Sequence, residues 1–284
     1  MTEKKMRVAA FIITYNEAHH IGRALSQLKS ICLDTYVIDA FSNDGTPEIA
    51  ERLGAFTVSN EWSGYCSQIN FSINLLKDKY DWLLRVDADE YFLPASLSQV
   101  LSTIESCDDT ITGICVLRSF VFMNRRLKWG GVSRLPVVRI FRPDLAYCEQ
   151  RMMDERIVCE QGDIMISNLH LIDHSLGTID QWIVKHLRYS ELQAIEDTSY
   201  TSANSNISDT LIRSRTRRLY FYKLAPALLR PFAFFCYRYI IRLGLFDGIE
   251  GFYFHFFQCL WYRYLVEYKL LILKRRNGPM NPTI

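Results

Sequence analysis

Three carboxylates crowd the end of an apolar run. In DWLLRVDADEYFLP, residues 81–94, Trp82, Leu83 and Leu84 read as a buried strand, and Asp87, Asp89 and Glu90 follow within four positions. Two carboxylates at i and i+2 on a chain leaving a strand can both approach one hard cation. Mg²⁺ and Mn²⁺ favour such oxygen ligands and often share them with phosphates, so Asp89 and Asp87 form a candidate metal site. An isolated Asp-x-Asp also starts solvated loops or caps helices, as DEYFLPASL would. Two further polar clusters at the ends of apolar runs shift the balance toward chemistry: Thr14, Asn16 and Glu17, then Asp39 with Ser42 and Asp44.

These clusters need strands to carry them. Val8 to Thr14 is a short apolar run of the kind buried on both faces of a sheet. A helix is expected over Ile21 to Ser30, a strand over Thr35 to Asp39, and a helix over Pro47 to Leu53. Thr46 is the expected N-cap of that last helix, with Pro at its first position. Phe56 to Ser59 reads as a strand, 66–78 as a helix and 81–86 as the strand of the carboxylate run. The alternation predicts a mainly parallel sheet with helices on both faces. In such sheets ligands bind outside the carboxyl ends of the strands, where the three polar clusters lie. Later strands are expected at Ile111 to Phe122, Leu135 to Phe141 and Ile164 to Leu171. Thr178 and Gln181 form a capping box opening a helix that carries Ile179, Trp182, Ile183 and Leu187. Residues 199–210 are polar and read as a linker.

The chain has 284 residues, of which 49% are hydrophobic, enough for one large domain and an appendage. Its net charge of +2 conceals an asymmetry: from Arg213 onward there are 13 Lys or Arg and 3 Asp or Glu (+10), leaving 20 and 28 (−8) before it. The eight cysteines include no CxxC pair and read as free thiols in a reducing compartment. Met1 to Arg7 is polar and lacks signal-peptide character. The expected location is cytoplasmic.

FIITYNEAHHIGRAL, VIDAFSNDGT, WSGYCSQIN and DWLLRVDADEYF occur in the order and spacing of family-2 glycosyltransferases. These are inverting enzymes of the GT-A fold, and the chain most resembles the bacterial subgroup that includes lipopolysaccharide-core β-1,4-glucosyltransferases. RLGLFDGIEGFYFHFFQCLWYRYLVEYKLL resembles that subgroup's C-terminus. The resemblance implies that Thr14, Asn16 and Glu17 line the nucleotide pocket and that Asp39 holds base or ribose. It places Gln68 with the donor-binding residues. Asp87 would reach the ribose or a metal-bound water, and Asp89 would ligate Mn²⁺ or Mg²⁺. In RMMDERIV, Asp154 and Glu155 take the place of the base, with Glu155 preferred. His174 in LIDHS matches a recurrent histidine that could meet the diphosphate or metal, and a structural histidine is an equal reading. Trp129, in LKWGGVSRLPVVRIFRP, stacks on an acceptor sugar or packs in the core. Two departures stand out: Ala40 where many relatives carry a second Asp, and Ile69 where the subgroup usually carries Arg.

The expected organisation is a catalytic domain over 1–210, with a nucleotide-sugar half at about 1–95 and an acceptor half at about 96–210. A basic, aromatic helical region then covers 211–284. That region's longest uncharged run is Gly251 to Tyr262, twelve residues, against the roughly twenty a spanning helix needs. Helices lying in the membrane interface are therefore expected, bound peripherally to the anionic cytoplasmic face of the inner membrane. A helical cap on the catalytic domain is the alternative. Arg213, Arg215, Arg217 and Arg218 form a basic cluster suited to lipid phosphates or the donor diphosphate.

The expected activity moves a hexose from a nucleotide-diphosphate sugar, with a UDP-sugar the expected donor, to a lipid-linked or lipid A-core glycan acceptor. A sugar nucleotidyltransferase is the rival enzyme class. It would need a Gly-rich loop after the first strand, and residues 14–25 contain only Gly22. A non-catalytic membrane adaptor of the same fold is the other alternative. The aromatic and aliphatic content of the basic tail fits lipid better than nucleic acid. Oligomeric state is not readable from the chain.

Overall fold

A computed structural model describes residues 6–150, 155–199 and 226–276. They divide into two compact units, one over residues 1–127 and 132–176, the other over 128–131 and 177–284.

The first unit is built on one sheet. Its strands are β1 (Val8–Thr14), β2 (Asp34–Asp39), β3 (Phe56–Ser59), β4 (Trp82–Arg85), β5 (Glu90–Phe92), β6 (Ile111–Phe122), β8 (Leu135–Phe141) and β11 (Asp163–Asp173), with β7 (Arg125–Arg126) on β6. The spatial order is β3-β2-β1-β4-β8-β6-β11-β5. Parallel pairing joins β3, β2, β1 and β4, and β6 with β11; β8 and β5 run against their neighbours. This is the mixed, mainly parallel fold class expected from the sequence. A small hairpin, β9 (Ala146–Glu149) with β10 (Arg156–Cys159), lies apart from the main sheet.

The period of two along β1 explains why both faces are covered. Val8, Ala10 and Ile12 face one core, shared with α1 (Ala18–Leu28), α2 (Thr46–Arg52) and α5 (Val100–Glu105). Ala9 and Phe11 face a second, shared with α3 (Tyr65–Leu76) and the β9–β10 hairpin. Each fully buried large side chain such as Phe11 contributes roughly 1.5–3 kcal/mol. One short helix, α4 (Pro94–Leu97), follows β5.

The cap expected at Thr46 is a correction. Gly45, at φ +89°, occupies that position and makes no side-chain cap, while Thr46 is already helical. The Thr46 hydroxyl donates to Asp44 at 2.6 Å and accepts from the Glu17 amide at 2.8 Å. Asp44 also accepts the Ala18 and Thr46 amides, at 3.0 and 3.1 Å. One loop carboxylate thus caps the starts of both α1 and α2. Burial opposes its ionisation, but the hydrogen bonds from Thr46 and Ala18 outweigh it and hold its pKa below the usual value.

The second unit is helical: α6 (Ile179–Ser199), α7 (Arg230–Cys236), α8 (Gly248–His255) and α9 (Tyr262–Arg276). Wide π turns at Tyr237–Ile241 and Phe256–Trp261 extend α7 and join α8 to α9. The capping box that opens α6 is present: the Gln181 amide donates to Thr178 Oγ1 at 3.3 Å, and the Thr178 amide to Gln181 Oε1 at 3.0 Å. Trp182 stacks on His186 and meets Phe257 and Trp261, and Lys269 Nζ reaches the Leu187 carbonyl. No helix among the described residues is long and apolar enough to cross a membrane.

Candidate active site

Parallel pairing brings the carboxyl ends of β1, β2, β4 and β11 to one edge of the sheet in the first unit. At β1 and β2, Thr14 Oγ1 donates to Asp39 at 2.9 Å, and Ser42 meets the same carboxylate through its amide (2.7 Å) and hydroxyl (2.6 Å). Asn16, at φ +56°, donates its amide to Ser42 Oγ and accepts from the Asn43 amide on its side-chain oxygen. Thr14, Asn16 and Asp39 are therefore linked through hydrogen bonds, the first and last of them buried. Leu176 donates its amide to His20 Nε2 at 2.8 Å, which leaves His20 Nδ1–H to donate to the Glu17 carboxylate at 2.7 Å.

At the end of β4, two arginines answer the carboxylates. Arg85 Nη2 donates to Asp87 Oδ1 at 3.0 Å, and Arg139 Nη2, from β8, donates to Asp87 Oδ2 at 2.8 Å and Glu90 Oε1 at 2.5 Å. Burial disfavours the Asp87 charge, but Arg139, then Arg85 and Arg118, pull its pKa well below the ordinary value. Glu90 is wholly buried. Burial pushes its pKa up, Arg139 opposes, and the Asp87 charge adds to the rise. Burial lowers the Arg139 pKa, yet Asp87 and Glu90 raise it further than burial depresses it, so the guanidinium stays charged. Asp87 keeps 29% of its side chain exposed, so it has one side on the core and one on the solvent edge.

Asp173 completes this cluster. It ends β11 opposite Glu90 in the antiparallel β5–β11 ladder, and the next residue's amide donates to the Asp89 carbonyl at 3.0 Å. Burial first, and then the charge of Asp89, push the Asp173 carboxyl well above its usual range, although Arg118 lies 4.0 Å away. His174, the neighbour singled out in the sequence, turns elsewhere: its Nδ1 lies 3.3 Å from Arg23 Nη1, and Arg23 Nη2 donates to its carbonyl at 2.6 Å. Burial, then Arg23 and His20, depress its pKa.

Glu155 reaches the same cluster, with Oε2 3.8 Å from the Arg85 Nη2 that also holds Asp87. Gln68 is turned inward. Its amide donates to the Asn60 and Glu61 carbonyls and its oxygen accepts from Asn60, so it shapes the loop before α3. Ile69 and Ala40 are both buried. Trp129 belongs to the second unit, with its ring 5.7 Å from Phe246. Asp154 and the cluster of Arg213, Arg215, Arg217 and Arg218 lie outside the described residues.

The donor set suits a hard divalent ion in one particular way. Both Asp87 oxygens already bind arginine, whereas burial first, and then the negative charge of Asp89, raise the proton affinity of Asp173. Among the described residues no group of three or more His, Cys, Asp or Glu is placed to hold a metal. Two carboxylates completed by substrate phosphate and water are a common arrangement for Mg²⁺.

The buried arginines and Asp173 are absent from the sequence reading. Arg85 and Arg139 carried a usable signal, since an arginine inside an apolar strand requires a buried partner. Asp173 carried none, because its position depends on pairing with a strand about eighty residues earlier.

The family model described as Glycosyl transferase family 2 matches residues 9–151. An uncharacterized glycosyltransferase of Rickettsia felis is 44% identical over 84 residues, 30% of this chain and 29% of that protein. The chain thus matches under a third of such relatives' length. The lipopolysaccharide core biosynthesis glycosyltransferase LpsC of Rhizobium meliloti is 26% identical over 67% of this chain and 71% of its own. Among solved structures, mannosyl-3-phosphoglycerate synthase from Rubrobacter xylanophilus aligns with a TM-score of 0.46 at 12% identity, covering 72% of this chain and 78% of that one.

Proposed function

The chain belongs to glycosyl transferase family 2, and from that premise we propose that it moves a hexose from a nucleoside-diphosphate sugar, with inversion, to a lipid-linked or lipopolysaccharide-core glycan. The observation that carries the reading is the meeting of Asp87, Asp89, Asp173 and Glu155 at the strand-end edge that also holds the Thr14–Asp39 network. Similarity to LpsC supports the acceptor class.

Thr14, Asn16 and Asp39 take the nucleoside, with Glu17 beside them. Asp87, held by two arginines, is positioned for the ribose. Asp89 and Asp173 hold the divalent ion, Mn²⁺ or Mg²⁺, together with the donor diphosphate. When bound, that ion neutralises charge developing on the departing nucleoside diphosphate. Glu155 accepts the proton of the attacking acceptor hydroxyl, a role that contributes about 10²- to 10⁴-fold. Arg85 holds Glu155 and Asp87 in one orientation. The basic, aromatic C-terminal region binds peripherally at an anionic membrane surface, on the cytoplasmic face of the inner membrane, where a lipid-linked acceptor resides.

A panel of UDP- and GDP-sugars, assayed for released nucleotide, tests the reaction class. Transfer releases a nucleoside diphosphate; pyrophosphate as the product would show a nucleotidyltransferase instead. Glu155→Gln is expected to bind donor normally and lose about 10²- to 10⁴-fold in transfer; near-normal turnover would move the base elsewhere. Mn²⁺ binding, read by electron paramagnetic resonance, should be weak alone, strengthen when UDP is added, and weaken in Asp89→Ala and Asp173→Asn. Undiminished Mn²⁺ binding in both variants would remove the metal assignment.

A further inference from the structure

The second unit carries an unusual turn. Between Ile240 and Ile249 the chain exposes Ile241 (69%), Phe246 (56%) and Ile249 (59%), with Ile240 and Leu245 also exposed. Trp129, 44% exposed, packs its ring against Phe246 and extends the same apolar knuckle. Scattered exposed apolar residues need no explanation, but a contiguous set of large ones marks an interaction surface.

This knuckle is held firmly. Asp247 is buried and accepts three backbone hydrogen bonds, two from the Lys128 amide (3.0 and 3.1 Å) and one from the Trp129 amide (2.8 Å). The Gly130 amide donates to the Arg242 carbonyl at 2.9 Å. A Cβ on Gly130 or Gly244 would stand 2.2 or 2.5 Å from His255 Nε2, closer than side-chain carbons approach. Two loops distant in sequence, KWGG and RLGLFDG, are thus locked together, and what they present outward is indole, phenyl and isoleucine. Exposed rings on a fixed turn lose little conformational freedom on docking.

The charge of this segment selects the partner. From Arg230 to Arg276 there are eight Lys or Arg and three Asp or Glu. Of those three acids, Asp247 is buried on backbone amides and Glu267 is paired with Arg230 at 3.3 Å. Arg242 sits within the knuckle and is exposed. Aromatic and aliphatic side chains with an exposed arginine among them, on a segment of net positive charge, fit the headgroup–acyl boundary of an anionic bilayer.

We infer that the Trp129–Phe246 knuckle is the element of this chain that inserts into an anionic bilayer. The inference rests on the membrane reading given above and assigns it to one turn rather than to the C-terminal region at large. It also gives Trp129 a lipid contact in place of an acceptor sugar.

The test uses the full chain and vesicles of phosphatidylglycerol with phosphatidylethanolamine, against phosphatidylcholine alone. Wild type should sediment with the anionic vesicles, less as salt rises. Ile241→Asp with Phe246→Asp should lower the partition coefficient at least tenfold, while Val184→Asp, an exposed apolar position on α6, changes it less than twofold. Brominated acyl chains should quench wild-type tryptophan fluorescence, and Trp129→Phe should remove most of that quenching, a readout independent of how the aspartate variants fold. Nucleotide release in vesicle-free buffer should be unchanged by Ile241→Asp/Phe246→Asp, which separates the docking claim from the transferase claim. Three outcomes overturn the inference: no binding by wild type, equal binding by the aspartate variant, or a dimer in sedimentation velocity that this variant dissolves without any vesicle binding.

Discussion

In the first unit, buried carboxylates are met by arginine: Asp87 and Glu90 share Arg139, and Arg85 takes the other side of Asp87. In the second unit, the buried carboxylate Asp247 is met by backbone amides, and the buried His255 and the half-buried His186 sit among aromatic rings. Burial, then Arg238, drops the His255 pKa to about 4; burial, then the proximity of Lys185, does the same for His186 against the hydrogen bond to the Trp182 carbonyl. The difference teaches where each unit keeps its electrostatic freedom. The first unit holds full charges at a strand edge, where a charged ligand would use them. The second unit buries the Asp247 carboxylate on backbone amides and sets the part-buried Arg238 beside His255, with Arg242, Lys274 and Arg275 exposed.

The sharpest way to break this contrast is to delete Arg139. Arg139→Ala strands Asp87 and Glu90 in or near the core, and loss of one partner of a buried pair costs about 3–5 kcal/mol. Hydrogen exchange in β4 and β8 should report that loss; a change below about 1 kcal/mol would mean that solvent already compensates these acids.

Acid should separate the units next. A histidine whose folded pKa lies below its unfolded value near 6.5 contributes stability that is complete above pH 6.5. It is lost as pH falls through about 4. For His255, packed against Arg238, Tyr239 and Cys259, the loss is on the order of 3 kcal/mol. Exchange protection in α8 should fall across pH 6.5 to 4, and His255→Asn should flatten that dependence. A flat wild-type profile would contradict the neutral-histidine account.

The smallest effect concerns α6. Thr178→Ala removes one half of its capping box and should cost about 1 kcal/mol, visible as fraying of the first turn of α6 by exchange. Loss of protection throughout α9 as well would show the cap to be coupled to the whole helical unit.

Much of the sheet was legible because its cues are local. β1, β3, β6 and β8 begin and end where apolar runs meet turn residues, and Thr178 capped as its spacing required. Thr46 misled because a threonine before proline resembles a cap, and Gly45 took the position by adopting a left-handed backbone. β5 is three residues long, too short for periodicity to reveal. The candidate site was half legible. Its Asp87 and Asp89 announce themselves at a strand end, but Asp173 joins them only through the β5–β11 ladder. His174 looked chemical because of its residue type, and it lies just past the end of β11 with Nδ1 against Arg23. Asp44 looked like a ligand contact, and its three hydrogen bonds to Ala18 and Thr46 make it a helix cap.

The clamp that Asp247 places on Lys128 and Trp129 has a meaning in time. The two ends of the Trp129–Asp247 bond lie 118 residues apart in sequence. At roughly 5–20 residues per second of synthesis, about 6–24 s pass between the making of Trp129 and of the carboxylate that fixes it. During that interval KWGG has an indole and two glycines but lacks the Asp247 carboxylate that accepts its Lys128 and Trp129 amides. A chain halted anywhere before Asp247 stays in that state permanently. The nascent protein therefore carries an unfastened hydrophobic loop until Asp247 has been made and has folded against it.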